Sequence, residues 1–570
     1  MLFQLLHVVL ALQGPAARQL TGQAGHGVSR ADSIRIVRDV RSAQASFELF
    51  RRSHLPLRAG GGSTCDIRIG RYCYWRGDDD GEDDTPPKEE AAVGRRRDEL
   101  IRKLDTATST LTGDAWLAGQ HVRYLVEADR TDSALVFAHR CSAGVSWCDA
   151  LAGYAAHKAG RFALADSIFR KALASMDLPE RCRWLDISDL LDDELADRFK
   201  KTDCAGREAL VRRIFRLGSP LFSVSETDLF TEHLSRVTRA RIAEHAPSPD
   251  GEAWADDQRA LTLRYGWPRW YSRSESRDWS MAPSVMGHDG GMPYDYLPKL
   301  HAIEHIGSAS DEDWDLDDGH ASTGYAPSFA RSMHDLPSQV ASFRRGDSTL
   351  IVAAWDARKD TTLLGRGVDG ALAMVGLDST VAITRAQKVP LTGHLSAIAV
   401  LDSGFVSLEL LAASDRRAAR AHVGLPGRTP GAQGLSDVLL YTPSDSVPSN
   451  LEDALPTMLA SNVVSGSRTV GAFWEAYGFS GERTPVHYTL SVDQIEVGWM
   501  QRAKEKLHLD DPTAGLRIQW DEVVVQHDGR APRGVRLDLS RLRGGKYHVE
   551  VSMSVNGDAA VTTSRDIEVR

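Results

Sequence analysis

The spacing of apolar residues divides the chain into two halves with different predicted structure. From residue 95 to about residue 246, apolar side chains recur every three or four positions, which is the pattern of amphipathic helices. The clearest helical pattern lies within residues 150–173, and a weaker copy predicts a helix pair over residues 115–127 and 131–140. We therefore predict an α-helical domain over residues 95–250.

After residue 338 the pattern changes to short runs in which apolar and polar residues alternate, as in half-buried β-strands. Two hairpins are predicted, over residues 339–355 with a turn at Gly346-Asp347 and over residues 405–423 with a turn at Ser414-Asp415. Later strands are predicted over residues 437–441, 470–477, 486–492, 516–520, 547–555 and 561–569. These runs predict two antiparallel β-sandwich domains, over residues 338–428 and 435–570.

The stretch over residues 251–337 joins the two halves. Residues 261–265 alternate like a strand, Gly266 allows a tight turn, and Pro268 restricts the chain beyond it. The remainder is a connector rich in Ser, Asp, Gly and aromatic residues. We expect those aromatic side chains to lie buried against neighbouring domains, because large rings are seldom left in water.

The N-terminal residues indicate export. Residues 1–24 carry an apolar run followed by small residues, which is typical of a secretory signal peptide. A buried N-terminal helix is the alternative, since no Lys or Arg precedes the run. Residues 25–94 are predicted to be a loop-rich segment, with mixed helix and loop over about residues 26–60 and a small hairpin around Gly70.

Six cysteines support export, because disulfides persist in oxidising compartments. The simplest pairing scheme joins sequence neighbours: Cys65 with Cys73, Cys141 with Cys148, and Cys182 with Cys204. Each bridge would add about 2–4 kcal/mol of stability. Six reduced, buried thiols in a cytosolic protein are the alternative, whereas a zinc site would need tighter Cys-x-x-Cys spacing.

Charge and length exclude some partners. The 570 residues carry 68 basic and 78 acidic side chains and a net charge of -10, which offers no general attraction for nucleic acid. No stretch approaches the ~20 consecutive apolar residues of a membrane-spanning helix. The acidic runs at residues 78–84 and 311–319 lack the ligand spacing of a calcium-binding EF-hand, which favours solvated loops.

Part of the helical domain resembles the tetratricopeptide repeat. The residues that carry the resemblance are the small and aromatic ones at packing positions: Gly153, Gly160, Phe162, Ala165, Phe169 and Ala172. Small residues let two antiparallel helices approach while aromatic rings fill the groove beside them. The resemblance implies a short helical array that binds a peptide or protein. A purely structural helical domain is the alternative.

The second half resembles bacterial GWxTD-domain proteins, which are exported proteins of poorly defined function. The resemblance rests on Arg264, Tyr265, Gly266 and Pro268 and extends more weakly to the segments 473–478 and 539–547. The name-giving Gly-Trp-x-Thr-Asp string is absent, and this family supplies no catalytic residues. Near residue 547, the approach to a late strand resembles immunoglobulin-like or fibronectin type III-like sandwiches, in which a tyrosine hydroxyl bonds the backbone at a corner.

One string offers catalytic chemistry. His301, Glu304 and His305 match the H-x-x-E-H pattern of inverted zinc peptidases, in which two histidines on one helix face hold zinc beside a glutamate base. Pro298 and Gly307 leave room for only a short helix, which favours an exposed surface element. Carboxylates such as Glu475 are not singled out by any spacing.

These patterns together predict a multidomain α plus β protein: an exported, non-enzymatic cell-envelope protein, periplasmic or extracellular, that requires no cofactor. It would act in protein binding or assembly, with a protein or peptide partner, through the helical-repeat module and the β-sandwiches. The alternative function is a secreted zinc-dependent hydrolase that uses His301, Glu304 and His305.

Overall fold

The structure is a computed structural model of the chain. It describes residues 28–58, 67–74, 86–219, 221–222, 228–274, 285–288, 296–316, 323–325, 329–330, 332–377, 381–401, 403–427, 432–465, 468–479, 481, 483–495 and 515–570. The predicted signal peptide, Cys65 and the acidic run at residues 78–84 lie outside the described residues, as does the side chain of Cys73.

The first half of the chain is helical, as predicted. Its helices are α1 (Arg30–Ser53), α2 (Ala91–Thr110), α3 (Ala115–Glu127), α4 (Thr131–Arg140), α5 (Val145–Lys158), α6 (Phe162–Ala174), α7 (Leu178–Trp184), α8 (Asp193–Lys201), α9 (Cys204–Gly218), α10 (Asp228–Ala243) and α11 (Asp256–Tyr265). Three short strands lie between α1 and α2: β1 (Leu57–Arg58), β2 (Ile67–Ile69) and β3 (Tyr72–Tyr74). The predicted hairpin is confirmed, because β2 and β3 pair antiparallel across Gly70.

Within the stretch predicted as mixed helix and loop, residues 30–53 form the 24-residue helix α1. The buried positions of α1 are Val40, Gln44, Phe47 and Glu48, whose spacing places them on one helix face. Two of these four residues are polar, so the helical spacing of apolar residues is interrupted in the sequence. Gln44 donates to Gln120 on α3 at 2.7 Å, and Glu48 accepts from Arg123 on the same helix at 2.7 Å.

The strand predicted over residues 261–265 is wrong, because these residues form the end of α11. Gln258, Thr262 and Tyr265 are buried at helical spacing, and two of them are polar, so the alternating leucines dominated the visible pattern. The predicted turn at Gly266 is confirmed. Its φ of 86° favours glycine and ends the helix.

Helices α5 and α6 show the predicted close packing. A Cβ at Gly153 would lie 2.8 Å from the Phe169 ring, so only glycine allows this approach. Ala165, Phe169 and Ala172 are completely buried. Gly160, with φ of 72°, forms the turn between the helices, and the Phe162 ring lies 5.2 Å from the imidazole of His157.

Two of the predicted local cysteine pairs lie at disulfide distance. Cys141 ends α4 and Cys148 lies in the first turn of α5, with Cα atoms 5.7 Å apart. Cys182 on α7 and Cys204 on α9 are also separated by 5.7 Å between Cα atoms. The first bridge joins consecutive helices across their turn, as predicted.

The connector contains short elements of its own: β4 (Trp270–Ser274), β5 (Val285–His288), α12 (Leu300–Glu304) and β6 (Ser332–Asp335). Strand β4 pairs in parallel with β1 and antiparallel with β5, which ties the connector to the end of α1. Five of its described aromatic residues are buried, as predicted: Trp270, Tyr271, Tyr296, Trp314 and Tyr325.

The next region contains β7 (Ser338–Arg345), β8 (Ser348–Asp356), β9 (Val368–Gly376), β10 (Val381–Val389), β11 (Thr392–Ala399), β12 (Gly404–Ala412) and β13 (Arg417–Leu425). They form a five-stranded sheet in the order β10-β9-β12-β13-β6 and a three-stranded sheet in the order β11-β8-β7. Trp355, Leu372 and Leu408 from the two sheets share one core. Both predicted hairpins are confirmed as β7–β8 and β12–β13.

The last region contains β14 (Gly434–Leu435), β15 (Leu439–Tyr441), α13 (Leu451–Ala454), β16 (Val463–Val464), β17 (Thr469–Tyr477), β18 (Arg483–Gln494), β19 (Leu516–Val525), β20 (Arg530–Asp538), β21 (Gly545–Val555) and β22 (Val561–Val569). The sequence predicted these strands except β14, β16 and β20. One sheet joins β14, β15 and β20 to β17, and the other has the order β16-β22-β21-β18-β19. The Tyr547 hydroxyl donates to the Arg543 carbonyl at 3.0 Å, the predicted corner contact.

None of the helices within the described ranges combines the length and apolar character that crossing a bilayer requires. The described chain is thus an α-helical region followed by a region of several β-sheets, which confirms the coarse α plus β prediction.

Candidate functional site

The H-x-x-E-H string occupies the short helix α12, which spans only five residues. The Nδ1 atom of His301 lies 3.0 Å from an Asp313 carboxylate oxygen, and Glu304 pairs with Arg198 at 3.2 Å. Within the described ranges, His, Cys, Asp and Glu side chains nowhere converge in a group of three that could hold a metal ion. The observed contacts give His301 and Glu304 surface roles and do not favour the zinc hydrolase.

Helix α10 lies against the helix pairs that resemble the repeat family. It packs on α3, α5 and α6, and 14 of its 16 residues are buried. The α5 helix is also buried on most sides, including Trp147, Leu151 and Tyr154. A peptide partner therefore has no access to the sides of α3 and α5 that α10 covers.

A cluster of paired charges, here called the helical cluster, joins α1, α3 and α10. It comprises Glu48, Arg51, Arg123, Glu127 and Arg239. Arg123 and Glu48 are each 1% exposed and 2.7 Å apart, and Arg123 also binds Glu127 at 2.8 Å. Arg51 and Arg239 reach the same Glu127 at 2.9 and 3.4 Å. Burial alone would raise the pKa of Glu127, but these three arginines hold it well below its ordinary value.

Two arginines of α10, one of them from the helical cluster, contact the residues around the Gly266 turn. The Arg239 guanidinium lies 3.5 Å from the centroid of the Trp267 ring. One turn earlier on α10, Arg236 donates to the carbonyls of Leu263 and Arg264 at 3.1 and 2.6 Å. These contacts cap the end of α11 and give the Gly266 turn a structural role.

A second polar cluster, here called the joint cluster, lies where the helical region covers the five-stranded sheet. It comprises Ser407, Glu409, Arg420 and His422, all less than 4% exposed. Glu409 accepts the N–H groups of Leu221 and Phe222 at 2.5 and 2.9 Å, just beyond α9. Arg420, opposite Glu409 on β13, donates to the Gly218 carbonyl at 3.1 Å.

The joint cluster is incompletely paired. Within the described residues, both ring nitrogens of His422, two guanidinium nitrogens of Arg420 and the Ser407 hydroxyl are buried without hydrogen-bond partners. Burial raises the pKa of Glu409 to about 7, and it also lowers the pKa of His422 well below its ordinary value. Glu409 and Arg420 connect the sheet to the helical region, but burying polar atoms of this cluster without partners costs free energy.

The two sheet regions are joined by a buried seam. Ser342 on β7 donates its N–H and hydroxyl to Asp437 at 2.8 and 2.6 Å. Gln339 donates to the Leu440 carbonyl at 3.1 Å and accepts the Leu440 N–H at 2.6 Å. Phe343 and Phe473 belong to one core shared by both regions. The seam therefore fixes β7 against β15 and β17.

One end of this seam opens into a concavity of about 500 Å³, here called the arginine cleft. Three turns line it: residues 344–347, residues 477–479, and Gln526 with residues 528–530. Left-handed backbone at Gly346, Gly478, Asp528 and Gly529 makes each turn tight. Three arginines, the largely buried Tyr477, and Phe479 are among the residues that line the opening.

A buried carboxylate organises the floor of the cleft. Glu475, 3% exposed, binds Arg345 through two contacts of 2.7 and 3.1 Å. The Tyr477 hydroxyl donates to Glu475 at 2.7 Å and accepts the Arg344 N–H at 3.0 Å. No spacing in the sequence singles out Glu475. A glycine and an aspartate lie next to an arginine in two of the three lining turns, at residues 345–347 and 528–530, but the sequence does not show that these turns lie close together.

Comparisons with known proteins do not identify the chain. No protein-family model matches it, and no curated protein matches it. Similar solved structures include a red sea bream transglutaminase, 12% identical over 41% of this chain and 31% of that chain, with a TM-score of 0.14. Another is a tetra-tandem repeat in the extending region of a large adhesion protein, 16% identical over 41% of this chain and 49% of that chain, with the same TM-score of 0.14. The alignments thus span less than half of either protein, and such TM-scores decide neither fold nor function.

Proposed function

We propose that this chain is an exported, non-enzymatic cell-envelope protein that acts by binding or assembling with another protein. Its helical region would be a tetratricopeptide-like module, and its sheets would form two β-sandwiches of the immunoglobulin or fibronectin type III kind. The GWxTD-like elements and the cysteine pairs at disulfide distance support export.

The arginine cleft carries the binding proposal. It combines Arg344, Arg345 and Arg530 with Tyr477 and Phe479, and arginine and aromatic residues are enriched at the energetic centres of protein interfaces. The buried seam holds its walls in place before a partner arrives, which reduces the ordering cost of binding. Because α10 covers much of α3 and α5, the helical module would contribute through its outer helices.

Crosslinking in envelope fractions of the native host tests this proposal. We expect the wild-type protein to recover a specific partner and an Arg530→Glu variant to lose it, because the substitution reverses a charge in the cleft. Arg536→Glu is the matched control, since Arg536 is exposed on the same strand but does not line the cleft. Failure of the wild-type protein to recover any specific partner would contradict the proposed function.

Export can be tested separately by thiol labelling of protein from its native host. We expect no reactive thiols until reductant is added to the denatured protein. Six labelled thiols without reductant would contradict export.

A further inference from the structure

We propose that the arginine cleft binds a single carboxylate on an extended peptide segment of the partner, with Arg530 as its main contact. This inference rests on the proposed function and names the ligand class of the site.

Arg345 does not need an external anion. Its guanidinium already makes two charge-assisted hydrogen bonds to Glu475, and that pair is largely buried. The Tyr477 hydroxyl fills a further acceptor position on the same carboxylate. The Arg345–Glu475 pair therefore serves as a neutral floor, and an incoming anion would engage Arg530, next to Arg344, which has partners within the protein.

Within the described part of the chain, Arg530 has no counter-charge. It is the first residue of β20, directly opposite Tyr477, the last residue of β17. Among the described residues, no carboxylate pairs with its half-buried guanidinium. A planar guanidinium in this position matches the two oxygens of a carboxylate, which it can bind bidentately.

Arg344 forms the facing wall. Its guanidinium lies 4.9 Å from the centroid of the Tyr477 ring and donates to the Ala432 carbonyl at 2.9 Å. Stacking and hydrogen bonding hold the side chain in one orientation. Arg344 and Arg530 thus flank the same tyrosine, and a carboxylate above Tyr477 would be attracted by both.

The rim favours one carboxylate over a polyanion. Asp347 and Asp528 are exposed on the turns that border the cleft, so a long run of negative charge would meet like charges there. A Cβ at Gly346 or Gly529 would have no neighbour within 4 Å, which leaves room for a peptide backbone. The volume of about 500 Å³ suits a few residues.

Fluorescence anisotropy with the full-length protein tests the ligand class. The probe is a labelled heptapeptide with one central Glu among Gly and Lys residues, and the matched peptide has Gln in place of that Glu. We expect the Glu peptide to bind about tenfold or more tightly than the Gln peptide, because the lost contact is charge-assisted. Higher salt should weaken binding of the Glu peptide.

Variants assign the contact. Arg530→Gln should weaken binding of the Glu peptide about tenfold or more, Arg530→Lys less than that, and Arg536→Gln should leave it unchanged. Thermal melts of each variant confirm folding, and Arg530→Lys keeps the test valid if the Gln variant unfolds. Inorganic phosphate distinguishes a peptide site from a small-anion site, and we expect it to displace the peptide only weakly.

Equal affinity for the Glu and Gln peptides, or an unchanged affinity in Arg530→Gln and Arg530→Lys, would overturn the ligand assignment. Displacement by phosphate at the affinity of the peptide would also overturn it. None of these results would remove the proposed function. Its binding part fails if crosslinking recovers no partner, and its export part fails if six thiols are labelled without reductant. A partner that is recovered equally by wild type and Arg530→Glu would remove the cleft from the interface.

Discussion

The helical cluster and the joint cluster are both buried, yet burial has opposite consequences in them. In the helical cluster, Glu127 is surrounded by three guanidinium groups, and their attraction outweighs the cost of removing its charge from water. In the joint cluster, Glu409 accepts two backbone N–H groups and faces one arginine, and the cost of burial outweighs those contacts. Close pairing therefore decides whether a buried acid in this protein stays charged.

The same contrast applies to the cations. Arg123 binds two glutamates and the Pro247 carbonyl. Arg420 has one backbone acceptor, and His422 has none for either ring nitrogen within the described residues. We infer that the helical cluster specifies how α1, α3 and α10 fit together, whereas the joint cluster is a contact whose strength depends on pH.

Arg123→Met should have the largest effect, because it leaves two buried glutamates with fewer partners. We expect the free energy of unfolding in urea to fall by about 3–5 kcal/mol. The control is Arg130→Met, which breaks the exposed ion pair with Asp98 and should cost less than about 1 kcal/mol. Equal losses in the two variants would contradict the central role of Arg123.

Glu409→Gln should change how stability depends on pH. Because burial raises the folded-state pKa from 4.5 to about 7, the contribution of Glu409 is complete below pH 4.5 and is lost as pH rises through 7. The neutral variant does not undergo this loss. We therefore expect its stability relative to wild type to rise by about 2–3 kcal/mol between pH 5 and pH 8.

Urea denaturation at several pH values measures this difference. Asp335, whose pKa is also raised, is present in both proteins, so its titration cancels in the comparison. A difference between wild type and Glu409→Gln that is independent of pH would show that pairing, rather than burial, governs Glu409.

Trp267→Leu tests how much the ring that covers Arg239 stabilises the helical cluster, because it removes no ion pair. The stacking of Trp267 on the guanidinium of Arg239 would be lost, and we expect a cost of about 1–2 kcal/mol. Trp116→Leu is the matched control, since Trp116 stacks on Arg41 at 4.7 Å outside the cluster and should cost less. A loss larger than that of Arg123→Met would make the Gly266 turn, and not the ion pairs, the main support.

His422→Leu should have the smallest effect at neutral pH, within about 1 kcal/mol, because an apolar side chain leaves no buried nitrogen unpaired. The stability contribution of His422 changes with pH in the opposite direction to that of Glu409. Burial lowers the folded-state pKa of His422, so its contribution is present above the ordinary pKa of 6.5 and is lost as pH falls below it. Urea denaturation at pH 7.5 and pH 5 measures this effect. We expect the free energy of unfolding of the variant to rise relative to that of wild type at pH 5. An equal decrease in both proteins would contradict the effect.

Local patterns in the sequence determined much of the architecture. The helices α3 to α6 and most strands of the second half were predicted because their buried faces are apolar, and side-chain period alone then distinguishes helix from strand. The turn at Gly266 and the contact of the Tyr547 hydroxyl were also predicted, since each depends on a few neighbouring residues. Two cysteine pairs followed from their short separation along the chain.

Only the tertiary structure decided the remaining features. The length of α1 and the presence of α11 do not follow from the sequence pattern, because Gln44, Glu48, Gln258 and Thr262 occupy buried positions where a periodic pattern requires apolar residues. Their burial depends on partners distant in sequence, such as Arg123 opposite Glu48. The arginine cleft likewise needs turns near residues 346, 478 and 528 to meet across a seam. Local sequence determines each turn. The distances between the turns depend on polar groups that pair across long sequence separations and on the packing of whole sheets against each other.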